Sequence, residues 1–152
     1  ARLRKNNRGF TMIEIIAVLI IIGIISAVVM TKVTFIQSYS VTTEVETLKT
    51  YLRYAQIRAL SDDKSWKMSF DDRSYILSRE EEEGSNTSYR LPNEDSSTHY
   101  LPGGMTITGN SYVIFNEWGT PVDSAGKPVT DTIEIYLGDR KITVTKNTGF
   151  IQ

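Results

Sequence analysis

The sequence predicts an α+β fold: one long N-terminal helix, apolar in its first half and amphipathic in its second, packed on an antiparallel β-sheet or sandwich. Three observations predict it. Residues Phe10–Met30 form an apolar run broken only by Glu14 and a few small or hydroxyl side chains. No glycine occurs between Gly23 and Gly84 and no proline before Pro92, so the strongest helix breakers are missing from a long stretch. After residue 65 the pattern changes to short alternating runs separated by turn residues. Helix first and strands afterwards is the segregated order of α+β proteins.

A chain of 152 residues suits one domain with an appendage. Residues 2–8 hold Arg2, Arg4, Lys5 and Arg8 and no acid, which leaves 13 basic residues against 18 acids in the remainder. An acidic body disfavours nonspecific binding to DNA or to anionic headgroups. With no cysteine, disulfides and thiolate metal sites are excluded, and the body must rely on an apolar core to which a long helix contributes one wall.

A helix over Phe10–Met30 measures roughly 31 Å, enough for a bilayer core. The basic leader would remain cytoplasmic and the rest would face outward. The apolar run after Glu14 is already at the upper limit for a cleaved signal peptide, and no A-x-A-like site follows it, so a permanent anchor fits better. Neither reading explains Glu14, since a carboxylate inside a membrane costs about 2.5–3.5 kcal/mol and usually has a partner. Cleavage between Gly9 and Phe10 creates one. The new amine of Phe10 stands four residues before Glu14, on the same helix face, where it can pair within the chain or with a neighbour.

The stretch "RGFTMIEIIAVLIIIGIISAVV" resembles the N-terminus of type IV pilins and type II secretion pseudopilins. The resemblance implies a pilin-like fold and a set of partners and sites. A prepilin peptidase would cut after Gly9 and N-methylate Phe10. Glu14, at the fifth mature position, would dock the subunit onto other pilin or pseudopilin subunits with the help of an inner-membrane assembly platform. Many members carry proline where this chain has Thr31, so melting or kinking tied to that proline should be weaker here. The implied organisation is a leader over 1–9, a transmembrane and assembly helix over 10–30, an amphipathic continuation over 31–62, and a periplasmic β-rich body over 63–152. The destination is the bacterial inner membrane as a single-pass subunit, then the pilus or pseudopilus.

Gly23 and Ala27 form a small-xxx-small pair that lets helices approach closely in lipid, though small residues are also ordinary in spans. From Val41, apolar residues recur at Val45, Leu48, Leu52, Ala55 and Ala59, which draws one stripe on a helix; Glu44, Glu46, Lys49, Arg53 and Arg58 lie off it. The stripe predicts core packing rather than a free coiled-coil seam. "SDDKS" at 61–65 supplies a polar stop, and "TKVTFIQSYS" at 31–40, rich in β-branched and polar residues, is where a bend or break is expected. An unbroken helix from Phe10 to about Leu60 would run ~75 Å.

In the body, "WKMSF" (66–70) and "SYILS" (74–78) predict a hairpin. The polar stretch over 79–104 reads largely as loop, and "MTIT", "YVIF", "TIEIYL" and "KITVT" read as strands, with a tight turn at Gly138-Asp139 and a short final strand in "GFIQ". Within the superfamily this layout resembles the GspH/FimT minor pseudopilin subgroup. "LRYAQIRALSDD" at the helix end, "FNEWGTP", and "ITVTKNTGFIQ" with its late glycine carry that similarity. The disulfide of many major pilins is impossible here.

No constellation of catalytic residues emerges. His99 is the single histidine, in a polar loop, and reads as an exposed loop residue; no G-x-S-x-G elbow accompanies it, so neither an enzyme nor a membrane-anchored hydrolase is expected. The acid run Glu80–Glu83 and the loops "NEDSS" and "DSAGKP" read as solvated, without calcium-loop spacing, so neither a metal nor a cofactor is expected. Arg140, Lys141 and Lys146 form the best candidate nucleic-acid contact, as in a minor pilin for DNA uptake, but three bases without interleaved aromatics favour an ordinary surface. The sequence therefore points to a noncatalytic minor pilin or pseudopilin subunit.

Overall fold

The computed structural model describes residues 10–82 and 85–152, with side chains other than those of residues 28–40 and 82. The chain divides into two compact units, Ala1–Ser38 and Tyr39–Gln152. One helix, α1 (Met12–Asp62), belongs to both. Of the bend or break expected within residues 31–40, a break does not occur: the backbone stays helical there. β-Branched residues cost only a few tenths of a kcal/mol each, and nothing in the stretch removes a backbone donor. The helix ends inside the predicted polar stop, followed by Asp63 in the left-handed region at φ 49°, a conformation that aspartate tolerates.

The described strands are β1 (Trp66–Asp71), β2 (Ser74–Glu82), β3 (Ser85–Ser88), β4 (Thr98–Tyr100), β5 (Ile107–Gly109), β6 (Tyr112–Phe115), β7 (Pro121–Val122), β8 (Ile133–Leu137) and β9 (Arg140–Val144). They form two antiparallel sheets. One has the order β3-β2-β1-β6-β7, with β4 sharing the outer edge of β2; the other has the order β5-β8-β9. Residues 150–152 continue the second sheet along β9, where Thr143 and Gln152 exchange backbone hydrogen bonds at 3.2 and 3.0 Å.

The registers explain the core. Met68 lies opposite Leu77 on one side and Val113 on the other, Trp66 opposite Phe115, and Phe70 opposite Tyr75, so these side chains share one face. In the second sheet Ile135 faces Ile142, Ile133 faces Val144 and Leu137 faces Ile107. The predicted helix stripe from Val45 to Ala59 joins both sets in one buried cluster. The β8–β9 hairpin turns on Gly138-Asp139, with positive φ at the first central residue alone, the requirement of a type II′ loop.

Two expectations are corrected. The 79–104 region is not loop throughout, since it contains the end of β2 and all of β3 and β4. These are polar strands on a sheet edge and carry no apolar alternation to betray them. His99 is not an exposed loop residue. It sits on β4 opposite Tyr75, mostly buried, with its ring stacked on Tyr75 at 4.7 Å.

His99 is also the centre of a polar cluster. Its Nδ1 lies 2.5 Å from Glu94 Oε1 and its Nε2 2.7 Å from Glu44 Oε1. The second approach is out of line for a hydrogen bond. Tyr75 donates its hydroxyl to Glu44 at 3.2 Å, and Tyr51 shares its one hydroxyl proton between Glu94 at 2.7 Å and the Pro92 carbonyl at 3.1 Å. Glu94 is aimed by a type II turn, with Pro92 at its second position, Asn93 at φ 62° in its third, and the Glu94 N–H bonded to the Leu91 carbonyl. Glu44 was expected off the helix stripe and is instead buried. With Leu48, Tyr51 and Ala55 it forms a second ridge at spacings of four, three and four beside the first.

Burial, followed by the Glu44 charge, pushes the Tyr75 hydroxyl well above the ordinary tyrosine range; burial and the Glu94 hydrogen bond do the same for Tyr51. A group whose folded pKa is raised contributes stability below its unfolded pKa, and that stability is lost as pH rises beyond it. Stability should therefore fall above about pH 10, the value for an unfolded tyrosine. Phenolate absorbance from these two rings should appear only together with loss of structure. Absorbance and circular dichroism followed through an alkaline titration would check this, and Tyr51→Phe with Tyr75→Phe should flatten the decline.

Candidate assembly site

The first unit presents its apolar side chains outward. Phe10, Met12, Ile13, Ile15, Ile16, Val18, Leu19, Ile20, Ile21, Ile22, Ile24 and Ile25 are all exposed, and they occupy every side of the helix. Such a surface requires a cover of lipid or of other helices. Among the described residues no helix is long and apolar enough to cross a membrane. The last residues of the Phe10–Met30 run, 28–30, fall outside the described side chains.

Glu14 is the one acid in this exposed apolar surface. Thr11 precedes the first helical residue and Glu14 is the third, which is the T-x-x-E order of a capping box. The pairing is reciprocal: the Glu14 N–H donates to Thr11 Oγ1 and the Thr11 N–H to Glu14 Oε2, each at 3.4 Å. These are long bonds that leave the exposed carboxylate accessible. The sequence argument, concerned with the cost of the charge, missed this local role, although "TMIE" spells it out. Glu14 can start its own helix and still meet a cation. Gly9, the residue before the expected scissile bond, lies outside the described residues; Phe10 is exposed just ahead of the cap.

The small-xxx-small pair is open to a neighbour. A methyl group built on Gly23 would meet no atom within 4 Å, and Ala27 is exposed. The basic trio is less uniform than the sequence suggested: Lys141 is engaged by Glu134 at 2.8 Å, while Arg140 and Lys146 are exposed. The acidic loops also use their carboxylates internally. Asp123 accepts the backbone N–H groups of Ala125 and Lys127 at 2.9 Å each, and Asp95 pairs with Arg90. Among the described residues no three histidine or acidic side chains are grouped to hold a metal ion.

Comparison with known proteins adds independent findings. Residues 4–30 match the prokaryotic N-terminal methylation motif. No curated protein sequence matches the chain. Among solved structures, the fold is similar to that of the type IV minor pilin FimU of Pseudomonas aeruginosa, at 17% identity and TM-score 0.56, over 78% of this chain and 90% of that one. It is also similar to the minor pseudopilin EpsH of the Vibrio cholerae type 2 secretion system, at 10% identity and TM-score 0.55, over 74% of this chain and 94% of that one. Those identities speak for the fold, and the motif speaks for the N-terminus. The chain thus carries a prokaryotic N-terminal methylation motif over residues 4–30, and its α+β fold is similar to that of a type IV minor pilin and a type 2 secretion minor pseudopilin.

Proposed function

We propose that the chain is a noncatalytic minor subunit of a type IV pilus or type II secretion pseudopilus. It is inserted in the inner membrane with its body outside, cut after Gly9 by a prepilin peptidase, and methylated on Phe10. It then joins a filament at or near its tip through the Phe10–Met30 helix. The observation that carries this reading is the exposed Glu14 carboxylate, the one charged side chain among the exposed residues 10–27 and four residues from the amine that cleavage would create. In an apolar assembly that amine, from the same chain or a neighbour, is the natural partner for the acid.

Glutamine at position 14 separates the two roles of Glu14. Glutamine still serves a capping box but carries no charge. Glu14→Gln should therefore insert normally, keep its helix, and fail to enter filaments, with incorporation reduced at least tenfold in sheared-filament or cross-linking assays. Wild-type incorporation of that variant would leave Glu14 with a capping role only and sink the docking role. Neutralising Arg140 should leave incorporation unchanged.

A further inference from the structure

Among the described residues of the second unit, five large apolar or aromatic side chains are strongly exposed, and four of them converge. Ile57 and Leu60 are 59% and 52% exposed on α1, Trp118 is 75% exposed on the turn after β6, and Phe150 is 58% exposed beyond β9. The three segments are fastened together. Gln56 donates to the carbonyls of Gly119 and Thr148 at 2.8 and 3.0 Å, and Arg53 donates to the Ile151 carbonyl at 3.3 Å. A methyl group on Gly119 would sit 3.2 Å from the Leu60 side chain, and one on Gly149 2.7 Å from the Gly119 carbonyl. The turns themselves are internally held. Asn116 Oδ1 accepts the N–H groups of Trp118 and Thr120, and Thr145 Oγ1 accepts that of Phe150. This apolar surface is thus rigid before any partner arrives, which lowers the entropic cost of covering it.

Two opposite charges stand on the two turns. Glu117 precedes Trp118, and Lys146 lies in the turn that leads to Phe150; both are exposed. An isologous contact brings the same patch of two copies together and exchanges its ends, so the Glu117 turn of one copy meets the Lys146 turn of the other. The area defines how the partner is held. Four such side chains expose on the order of 500 Å². Two copies together would bury about 1,000 Å² at best, below the ~1,200–2,000 Å² of stable interfaces. The patch is too small to hold two free molecules together, but sufficient when another contact raises their effective concentration.

We propose that Ile57, Leu60, Trp118 and Phe150 form a self-association face that pairs two copies of this chain already tethered by their N-terminal helices, with Glu117 and Lys146 matched across the contact. The tethering rests on the functional reading above; the face does not.

The cysteine-free chain makes the test direct. Full-length Glu117→Cys and Lys146→Cys chains are mixed in lipid vesicles and oxidised mildly. The mixed disulfide dimer should exceed either homodimer at least threefold, and Trp118→Ala in both chains should reduce it at least fivefold while the thermal melt stays unchanged. A Ser88→Cys control, on the exposed β3, should give little dimer. Equal cross-linking at Ser88, indifference to Trp118→Ala, or no mixed dimer would each overturn the proposal; the last would assign the face to a different subunit. The same pair carrying Glu14→Gln separates the two readings, since mixed dimers should persist in vesicles even where filament entry is lost.

Discussion

Alanine in place of Gly109 is expected to cost about 3 kcal/mol or more and to lower the melting temperature by roughly 12–20 °C. Gly109 ends β5 at φ 104°, where a side chain is strained in any surroundings. Its added methyl would lie 2.4 Å from the Glu134 carbonyl oxygen and 3.3 Å from its carbon, both backbone atoms of the neighbouring strand β8. That carbonyl is already fixed by the Asn110 N–H at 3.0 Å, while Asn110 Oδ1 accepts the Glu134 N–H at 3.1 Å. Relief would require β5 to separate from β8 and lose both bonds. Gly126→Ala is the control, because its methyl would meet nothing within 4 Å at a similarly positive φ. It isolates the conformational cost from the clash, and it should lose only about 1 kcal/mol. Thermal melts of the two variants decide the point; equal losses would show that β5 can move.

Alanine at His99 should remove about 3 kcal/mol, the combined cost of the cavity left under Tyr75 and of buried polar partners left without their hydrogen bond. Glu44 and Glu94 would then face the cavity with no imidazole between them, and Glu44 is nearly inaccessible to water. The loss should be partly reversible by a second change. Glu44→Gln added to His99→Ala replaces the buried acid by a neutral amide and keeps an acceptor for the Tyr75 hydroxyl, so the double variant should be more stable than His99→Ala alone. A coupling above about 1 kcal/mol in that cycle, from denaturant midpoints, is the expected result. A loss below about 0.5 kcal/mol for His99→Ala would mark His99 as a loop residue with no structural duty.

What could be read from the sequence was what repeats locally. The stripe from Val45 to Ala59 and the strands "YVIF" and "TIEIYL" announce themselves because each buried residue has a buried neighbour at the period of its own element. The methylation motif is legible for another reason, since several unusual choices fall within a few consecutive residues. Contacts between distant segments were not legible. His99 gains its role from Glu44, a helix residue fifty-odd positions earlier, and from a turn whose geometry depends on Asn93. The ridge Glu44–Leu48–Tyr51–Ala55 did offer a signal, because an acid at helical spacing among apolar residues is a candidate buried acid. β3 and β4 were hidden because an exposed polar edge looks the same as loop. The Trp118 surface was hidden because exposure of an aromatic is a property of the finished fold.

The fastening of α1 to residues 148–152 has a consequence for time. Arg53 and Gln56 reach partners more than ninety positions later in the chain, at Ile151 and Thr148. The helix is made early and waits, its middle unclasped, while the strands between are synthesised. At a rate of about 5–20 residues per second, that wait lasts roughly 5–20 seconds. During it the β9 edge is bare and the apolar stripe of α1 is only partly covered. A ribosome that stalls or terminates a few residues short of Thr148 would therefore release a nearly whole body that cannot close, an easy mark for quality-control proteases.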